Sequence, residues 1–483
     1  MKNMIFAGLA VLFVTVTFAH AETRAKLFNW RETPSAKIIK ASIASVRESE
    51  IGFASLDFRR TATLEIPLFD GKTYEAEHYQ TETRAPDDYT WRGKISEGKF
   101  EGDVVLTFRK GYVAGLIYAP LNAVYEIVPQ GEKQILIELN QRLFPECAGD
   151  LKDDAAAPPK KENIVASTDS GDRIDVLVLY TTPVKTSLGG DAQAQVFAQS
   201  AIDTTNTTYL NSKIRQRVRL ANAQETAIAE TGALSSELST VRADATANAQ
   251  RDVFKADLVA MISNSSDACG IGYLMGSANP QNGFTVTSRT CAVGNLSFPH
   301  ELGHNMGSQH NPENGSNPTY PYGFGHYVNG VFRTVMSYAD PCTSGCTRRP
   351  YFSNPEIFFS GYPTGLDNAR DNARSINNTA DTIANYRYSG ANLMLNSFNG
   401  GEALPRLIAR PLVWSSENVT GSVRIEISRN ESTNWETLIA ETPNDGTENI
   451  VVTGRATRRA RLRVVSLNNP TISDSSVRNI SIR

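Results

Sequence analysis

The sequence lacks a strong net charge: 48 Lys and Arg residues stand against 51 Asp and Glu residues, which gives −3 at pH 7. Without a basic field the chain is not expected to gather nucleic acid or anionic lipid, so we predict no nucleic-acid partner. Histidine and cysteine are also scarce, with six and five residues. After the N-terminus no apolar run approaches the roughly 20 residues of a membrane span. Function is therefore expected from a local site.

The first 21 residues have the pattern of a secretory signal peptide. Lys2 precedes an uncharged apolar run over residues 5–18, and the run is followed by Ala19-His20-Ala21, which resembles a cleavage signal. A membrane anchor is the alternative, but the run of about 14 residues is shorter than a span requires. We therefore predict a secreted, extracellular protein that passes through a periplasm in transit, with no membrane span.

If the protein is exported, its five cysteines are candidates for disulfides, because disulfides persist in oxidising compartments. Cys269, Cys291, Cys342 and Cys346 lie in one half of the chain, and four cysteines allow three connectivities. Proximity along the chain favours Cys269–Cys291 and Cys342–Cys346. Cys147 is then left over in an earlier segment.

Three segments with different hydrophobic patterns and composition predict a multidomain fold. Strand-like runs separated by Gly and Pro predict a β-rich domain over residues 22–150, and residues 151–172 have the composition of an exposed linker. Residues 173–389 alternate buried strands with a helix, which predicts an α/β domain with a mixed, mostly parallel sheet. Short alternating strands over residues 390–483 predict a C-terminal β-sandwich of fibronectin type III-like character.

One stretch dominates the sequence: His300-Glu301-Leu302-Gly303-His304-Asn305-Met306-Gly307-Ser308-Gln309-His310. On a helix, His300 and His304 are one turn apart and project from one face, which suits two imidazole ligands of zinc. Gly307 allows a sharp turn after the helix, and His310 follows as a third ligand. Three protein ligands leave a fourth position open, as in catalytic zinc sites, with Glu301 beside it as general base. The alternative is a helix with ordinary core or exposed histidines.

A second element follows the histidines. Thr334-Val335-Met336-Ser337-Tyr338 resembles the Met-turn of the metzincin clan, in which a methionine lies beneath the zinc histidines. Together the two motifs resemble a secreted metzincin zinc metallopeptidase, most similar to the bacterial reprolysin-like, adamalysin-related enzymes. This resemblance implies one catalytic Zn²⁺, a metzincin α/β catalytic domain, and hydrolysis of peptide bonds in protein or peptide substrates.

Two positions near the motifs depart from the adamalysin pattern or extend it. Asn311 stands where adamalysins usually have Asp after the third histidine. Tyr338 follows Met336 as in serralysins and astacins, where the tyrosine can approach zinc and stabilise the oxyanion. A packed, hydrogen-bonded tyrosine is the alternative for Tyr338.

Two further segments are candidates for substrate binding. Residues 270–276 are glycine-rich and precede the zinc helix, so they are expected to form the sheet edge that an extended peptide pairs with, at close approach. An ordinary glycine-rich strand is the alternative. The loop Arg348-Arg349-Pro350-Tyr351-Phe352 follows the Met-turn, where the clan forms a wall of the primed-side pocket, and an arginine there is expected to favour acidic side chains by pairing with them. Ordinary solvated loop arginines are the alternative.

The leftover cysteine resembles a cysteine switch. Cys147 ends the N-terminal β-rich segment, just before the linker, and a thiolate is a good soft ligand for zinc. It would fill the open coordination position of a zymogen until the linker is cut. A free buried thiol and an intermolecular disulfide are the alternatives.

The leading hypothesis is therefore a secreted zinc endopeptidase made as a zymogen with this switch-bearing pro-domain. An adhesion or binding protein with an inactive metal domain is a second hypothesis, which the intact Glu301 argues against. A zinc hydrolase of a non-peptide amide is a third, and a deep closed pocket would favour it over an open cleft.

Overall fold

A computed structural model describes residues 23–31, 44–98, 100–151, 169, 171–275, 279–432 and 434–483. The predicted signal peptide and most of the predicted linker, residues 152–168, lie outside the described residues. Within these ranges, no helix combines the length and the hydropathy needed to cross a bilayer.

The N-terminal part of the chain forms one ten-stranded sheet, in the order β1-β4-β5-β6-β7-β8-β9-β10-β3-β2. Apart from the parallel β1–β4 pair, neighbouring strands are antiparallel. Its strands are β1 Arg24–Lys26, β2 Phe28–Trp30, β3 Ser45–Phe53, β4 Thr63–Pro67, β5 Thr73–Ala85, β6 Asp88–Glu97, β7 Phe100–Arg109, β8 Tyr112–Tyr118, β9 Val124–Gln130 and β10 Lys133–Leu139.

The central part holds a six-stranded sheet in the order β11-β15-β16-β14-β12-β13. The β12–β13, β12–β14 and β14–β16 pairs are parallel and β15 is antiparallel to β16, so the sheet has the predicted mixed, mostly parallel order. Its strands are β11 Asp150–Leu151, β12 Arg173–Thr181, β13 Arg217–Thr226, β14 Leu258–Ser263, β15 Gly270–Tyr273 and β16 Phe284–Ser288. Strand β11 comes from the end of the N-terminal segment and pairs in parallel with β15.

Seven α-helices of the described chain accompany this sheet: α1 Thr182–Leu188, α2 Asp191–Asn211, α3 Leu234–Ala243, α4 Ala245–Val253, α5 Arg289–Ala292, α6 Ser297–Asn305 and α7 Asn372–Ile383. The sequence sets the break between α1 and α2. The Thr181 hydroxyl caps α1 by accepting from the Val184 N–H, and Gly189 ends the helix at a φ of 104°.

The remaining strands form further sheets of two to six strands. Those of the central part are β17 Tyr327–Val328, β18 Phe332–Arg333, β19 Thr347–Arg348, β20 Phe358–Phe359 and β21 Tyr362–Pro363. Those of the C-terminal part are β22 Asn392–Leu395, β23 Ala403–Leu404, β24 Arg410–Glu417, β25 Val423–Ser428, β26 Glu436–Thr442, β27 Thr447–Ile450, β28 Thr457–Ser466, β29 Ser473–Ser475 and β30 Ile480–Ile482. The C-terminal strands enclose an apolar core that includes Leu393, Trp414 and Leu462. The sandwich class and the domain boundaries stay predictions.

The N-terminal sheet packs on the central part rather than standing apart from it. Tyr118 and Leu139 of the sheet share a buried apolar cluster with Phe197 of α2 and Phe298 of α6. At the centre of this interface the buried Asp203 carboxylate of α2 accepts hydrogen bonds from the sheet. Its donors are Thr90 Oγ1 at 2.5 Å, Thr107 Oγ1 at 2.6 Å and Arg84 Nη1 at 3.2 Å.

Two disulfides link the central part internally. Cys269 bonds Cys291, and Cys342 bonds Cys346, so the pairing predicted from proximity is confirmed. Cys147 forms no disulfide.

The burial of Glu126 predicts that the stability of the folded chain depends on pH. This β9 side chain is buried against Gly294, where a Cβ would lie 2.7 Å from Glu126 Oε2, and burial raises its pKa from 4.5 to about 8. When the chain unfolds, the carboxyl regains its ordinary pKa. Its contribution to stability is therefore fully present below pH 4.5 and is lost as the pH rises towards about 8.

Glu126→Gln is therefore expected to raise the thermal midpoint of the full chain more at pH 8 than at pH 5. The amide cannot ionise, so the variant avoids a cost that grows by about 1.4 kcal/mol for each pH unit between the two pKa values. Thermal melts of both proteins at the two pH values measure the effect. A midpoint difference that is the same at both pH values would contradict the buried, neutral state of Glu126.

Candidate metal centre

Helix α6 positions the first two histidines as predicted. His300 and His304 lie one turn apart and are fully buried, with ring centroids 4.9 Å from each other. Gly307 follows the helix at a φ of 81°, a left-handed conformation that favours glycine. The turn brings back His310, whose Nε2 lies 3.2 Å from His300 Nε2 and 3.0 Å from His304 Nε2.

The backbone fixes which nitrogen of each helical histidine carries the proton. His300 Nδ1 donates to the Val335 carbonyl oxygen at 2.9 Å, and His304 Nδ1 donates to the Ser308 carbonyl oxygen at 3.0 Å. Burial lowers the pKa of His300 and His310 well below the usual value, so these rings are neutral. The Nε2 atoms of His300 and His304 therefore carry no proton, and their lone pairs point towards His310 Nε2. Such a set of nitrogen atoms fits a metal cation.

Cys147 completes the group, since its Sγ atom and one ring nitrogen of each histidine lie within 4.8 Å of one another. Sγ is 3.8 Å from His304 Nε2 and 3.9 Å from Glu301 Oε2. Burial and the Glu301 carboxylate raise the pKa of the thiol, and a cation between sulfur and nitrogen would act in the opposite direction. The structure thus places the four predicted metal ligands together, and the mixed nitrogen and sulfur set suits zinc.

Glu301 lies beside this group, and strand β15 holds it there. A Cβ on Gly270 would lie 2.3 Å from Glu301 Oε1, and a Cβ on Gly272 would lie 3.1 Å from the Glu301 carbonyl oxygen. We expected these glycines to let a peptide approach the sheet edge closely. The structure shows a further reason for glycine here, because the missing side chains also make room for the Glu301 side chain and its helix.

Comparison with known proteins agrees with this geometry. Residues 196–311 match the family model of reprolysin-like metallopeptidases of family M12B. A peptidyl-Asp metalloendopeptidase of Stenotrophomonas maltophilia strain K279a is 30% identical over 324 residues, which cover 63% of this chain and 75% of the relative. The chain belongs to the reprolysin-like metallopeptidases. As a member of this family it is a metalloendopeptidase.

Two other relatives carry the same name and match over different lengths. A peptidyl-Asp metalloendopeptidase of S. maltophilia strain R551-3 is 27% identical over 75% of this chain and 89% of its own length. The one from Xanthomonas campestris pv. campestris is 34% identical over 46% of this chain and 54% of its own length. Family membership favours peptide hydrolysis over an inactive adhesion protein or a non-peptide amidase.

Met336 of this reprolysin-like chain lies beneath the histidine helix, where the Met-turn resemblance predicts it. It is fully buried, and a Cβ on Gly303 would lie 2.7 Å from its Sδ atom. Glycine at position 303 therefore lets the Met-turn approach the helix between the two helical histidines.

Tyr338 also lies at the site, where its ring packs beside His310 and its hydroxyl forms a hydrogen bond. Its ring centroid is 4.3 Å from that of His310, and its hydroxyl donates to the Cys147 carbonyl oxygen at 2.9 Å. Asn311 fixes this arrangement, because its Oδ1 accepts from the Tyr338 N–H at 2.9 Å. The sequence marked Asn311 only as a departure from the family pattern and carried no sign of this structural role.

Glu146 and Arg333 are site residues that the sequence analysis did not identify. Glu146 directly precedes Cys147, and its Oε2 atom lies 3.8 Å from Arg333 Nη1, although the two residues are almost 200 positions apart in the chain. The one available signal was that Glu146 directly precedes the candidate ligand Cys147.

Proposed function

We propose that this metallopeptidase is secreted as an inactive precursor, binds one Zn²⁺ through His300, His304 and His310, and cleaves protein chains next to aspartate. The observation that carries the proposal is the convergence of three histidine nitrogens and the Cys147 sulfur beside Glu301. The preference for aspartate is supported by the name of the relatives, peptidyl-Asp metalloendopeptidase. Export is supported by the signal-like pattern of residues 1–21.

Glu301 is the general base of the proposed reaction. When bound, Zn²⁺ supplies Lewis-acid chemistry at the histidines. The Glu301 carboxylate accepts a proton from the attacking water and returns it to the leaving nitrogen as the peptide bond breaks. The contact of its side chain with Gly270 restricts the carboxylate to the side of the site where Cys147 Sγ now lies.

Tyr338 is proposed to stabilise the reacting carbonyl. In the uncut chain its hydroxyl donates to a carbonyl oxygen, that of Cys147. A substrate carbonyl in the same position would receive this hydrogen bond, which strengthens as negative charge develops on the oxygen.

The segment around Cys147 accounts for the proposed latency. Its backbone lies along strand β15, with the Ala148 N–H donating to the Gly270 carbonyl at 2.8 Å and the Cys269 N–H donating to the Glu146 carbonyl at 3.0 Å. Strand β11 continues this pairing at residues 150–151. An extended substrate would add to the same sheet edge, so it cannot bind until this segment leaves. Cutting within residues 151–172 is the proposed activating step.

The test is to map cleavage of an unfolded protein mixture by the linker-cut enzyme with mass spectrometry. New termini should be enriched in aspartate beside the cleaved bond, should disappear with 1,10-phenanthroline, and should return when Zn²⁺ is restored. Cleavage that continues at full rate in the chelator would contradict the metal mechanism, and cleavage without enrichment of aspartate would contradict the substrate preference.

The C-terminal part is expected to be dispensable for the chemistry. It has a core of its own, and none of its residues from 391 to 483 is histidine or cysteine. A chain ending at Gly390 keeps Ser389, whose Oγ donates to Asp169 Oδ1 at 2.8 Å. Its turnover of short peptides should be within about twofold of the full cut enzyme, since an accessory domain acts by raising local concentration on large substrates. Loss of peptide turnover in a truncated protein that stays folded by circular dichroism would show that the C-terminal part shapes the active site.

A further inference from the structure

The side chain of Glu146 occupies a pocket next to the metal centre. Its Oε1 accepts from the Ala339 N–H at 2.7 Å, and its Oε2 lies 3.4 Å from Arg348 Nη2 and 3.8 Å from Arg333 Nη1. Ala339 directly follows Tyr338, so the pocket opens beside the tyrosine that contacts the Cys147 carbonyl. The Ala339 N–H and the Arg348 guanidinium donate to the carboxylate, and the Arg333 guanidinium adds a second positive charge at ion-pair distance.

Both arginines are held in place by the backbone and are closed off from water. Arg333 on β18 and Arg348 on β19 are opposite each other in a parallel strand pair, and they are 1% and 2% exposed. Arg333 Nη1 donates to the Ser337 carbonyl at 2.7 Å, and Arg348 Nη1 donates to the Asn295 carbonyl at 3.0 Å. Two buried cations side by side are costly unless a carboxylate joins them.

The pocket lies next to the metal centre because Glu146 and Cys147 are consecutive residues. Cys147 lies at the histidines and Glu146 is its neighbour, so the pocket begins one residue away from the position where a substrate reacts. The Cys147 segment occupies the sheet edge that an extended substrate would use. When the segment leaves, the two guanidinium groups face a pocket that has lost its carboxylate.

We propose that Arg348, supported by Arg333, is the specificity-determining residue that binds the acidic side chain of the substrate next to the cleaved bond, and that Glu146 occupies the same pocket in the uncut chain. The inference rests on the proposed peptidase function and deepens it. A substrate aspartate restores the ion pair and the Ala339 hydrogen bond that Glu146 made. An asparagine of the same shape leaves both guanidinium groups without a negative partner, which disfavours its binding.

The test uses the linker-cut enzyme and peptides that carry Asp or Asn at the position flanking the cleaved bond. Wild type should show a kcat/KM about 10- to 100-fold higher for Asp than for Asn, the range expected for a hydrogen bond to a charged group. Arg348→Gln should bring this ratio close to one by losing activity on the Asp peptide, with little change on the Asn peptide. Arg348→Lys keeps the charge but not the two-pronged geometry, and should retain part of the ratio.

Arg349→Gln is the matched control. Arg349 is the next residue and is equally buried, but its guanidinium lies over the rings of Phe100, Tyr118 and Phe359 and donates to Asn122 Oδ1 at 2.5 Å. It contacts the N-terminal sheet and not the Glu146 pocket. The Asp to Asn ratio of this variant should equal that of wild type.

A second measurement needs no variant of the enzyme. A synthetic peptide of residues 144–149 should inhibit the wild-type cut enzyme, and the same peptide with Glu146→Gln should inhibit at least about 10-fold more weakly. The inference is overturned if both peptides inhibit equally, or if a folded Arg348→Gln enzyme keeps the wild-type ratio. A wild-type enzyme that cleaves peptides without distinguishing Asp from Asn also overturns it, and leaves the proposed hydrolysis standing. Absence of any chelator-sensitive turnover would instead overturn the proposed function.

Discussion

Glu301→Gln is expected to lower kcat/KM of the linker-cut enzyme by about 10²- to 10⁴-fold, the usual contribution of a general base. The amide has nearly the same shape as the carboxylate, so it fits the space that Gly270 leaves open, but it cannot accept the proton of the attacking water. Because the histidine nitrogens are untouched, the variant should bind one metal ion per chain with unchanged affinity. Steady-state peptide turnover together with metal analysis of the same sample measures both effects.

Glu225→Gln serves as the control for this prediction. Glu225 pairs with Lys185 at 3.0 Å on the protein surface, away from the histidines, so its loss should leave turnover unchanged. A Glu301→Gln enzyme with near-normal turnover would contradict the proposed base. Loss of the metal from the variant would mean that Glu301 acts in binding rather than in proton transfer.

Cys147→Ala is expected to make the uncut chain active on small peptides, at least about 10-fold above the uncut wild type. The substitution removes the sulfur from the metal centre, and each 1.4 kcal/mol lost from the closed state raises the open fraction about 10-fold. The open fraction should stay below that of the cut enzyme, because the Ala148–Gly270 hydrogen bond and the Glu146 pocket still hold the segment. Turnover by samples shown to be uncut by mass spectrometry measures the effect.

Cys147→Ser sharpens the comparison. Serine has nearly the size of cysteine, but its neutral hydroxyl is a poor zinc ligand where the soft cysteine thiolate is a good one. The serine variant should therefore be activated like the alanine variant. If both uncut variants are as inactive as uncut wild type, the segment blocks the site by its backbone and by Glu146, without a metal–sulfur bond.

The parts of the site that depend on local spacing could be predicted from the sequence. His300 and His304 fall on one helix face because the α-helix repeats every 3.6 residues, and Gly307 supplies the left-handed turn that returns His310. The disulfide partners are also near each other along the chain, so proximity was a sufficient guide. The order of buried strands and helices similarly indicated a mostly parallel central sheet.

The parts that depend on distant segments could not be predicted in this way. Glu146 precedes β11 by a few residues and meets Arg348 of β19 only because segments from two different sheets lie side by side. A second role of Gly270 was not predicted either, because the sequence does not show that the Glu301 side chain lies where a Cβ would be. The attachment of the N-terminal sheet through Asp203 likewise depends on threonines and an arginine that look like ordinary strand residues.

The arrangement explains how one short segment would hold the precursor inactive. Its sulfur lies at the histidines, its backbone adds to the sheet edge, and its glutamate enters the arginine pocket. In the proposed precursor, each contact takes the place of a different contact of a bound substrate, so all three would depend on the same segment staying in place. The buried apolar core shared by the N-terminal sheet and α2 helps to hold the sheet, and with it this segment, against the central part.

The most direct test of the account is zinc-edge X-ray absorption of the uncut precursor and of the linker-cut enzyme, each with its metal content measured. The uncut protein should contain one zinc per chain with nitrogen ligands and one directly bonded sulfur, at about 2.3 Å for a zinc–thiolate bond. After cutting, the sulfur signal should disappear while the nitrogen ligands and the stoichiometry stay the same. An uncut protein without zinc, or with zinc that shows no sulfur ligand, would contradict a site built from His300, His304, His310 and Cys147.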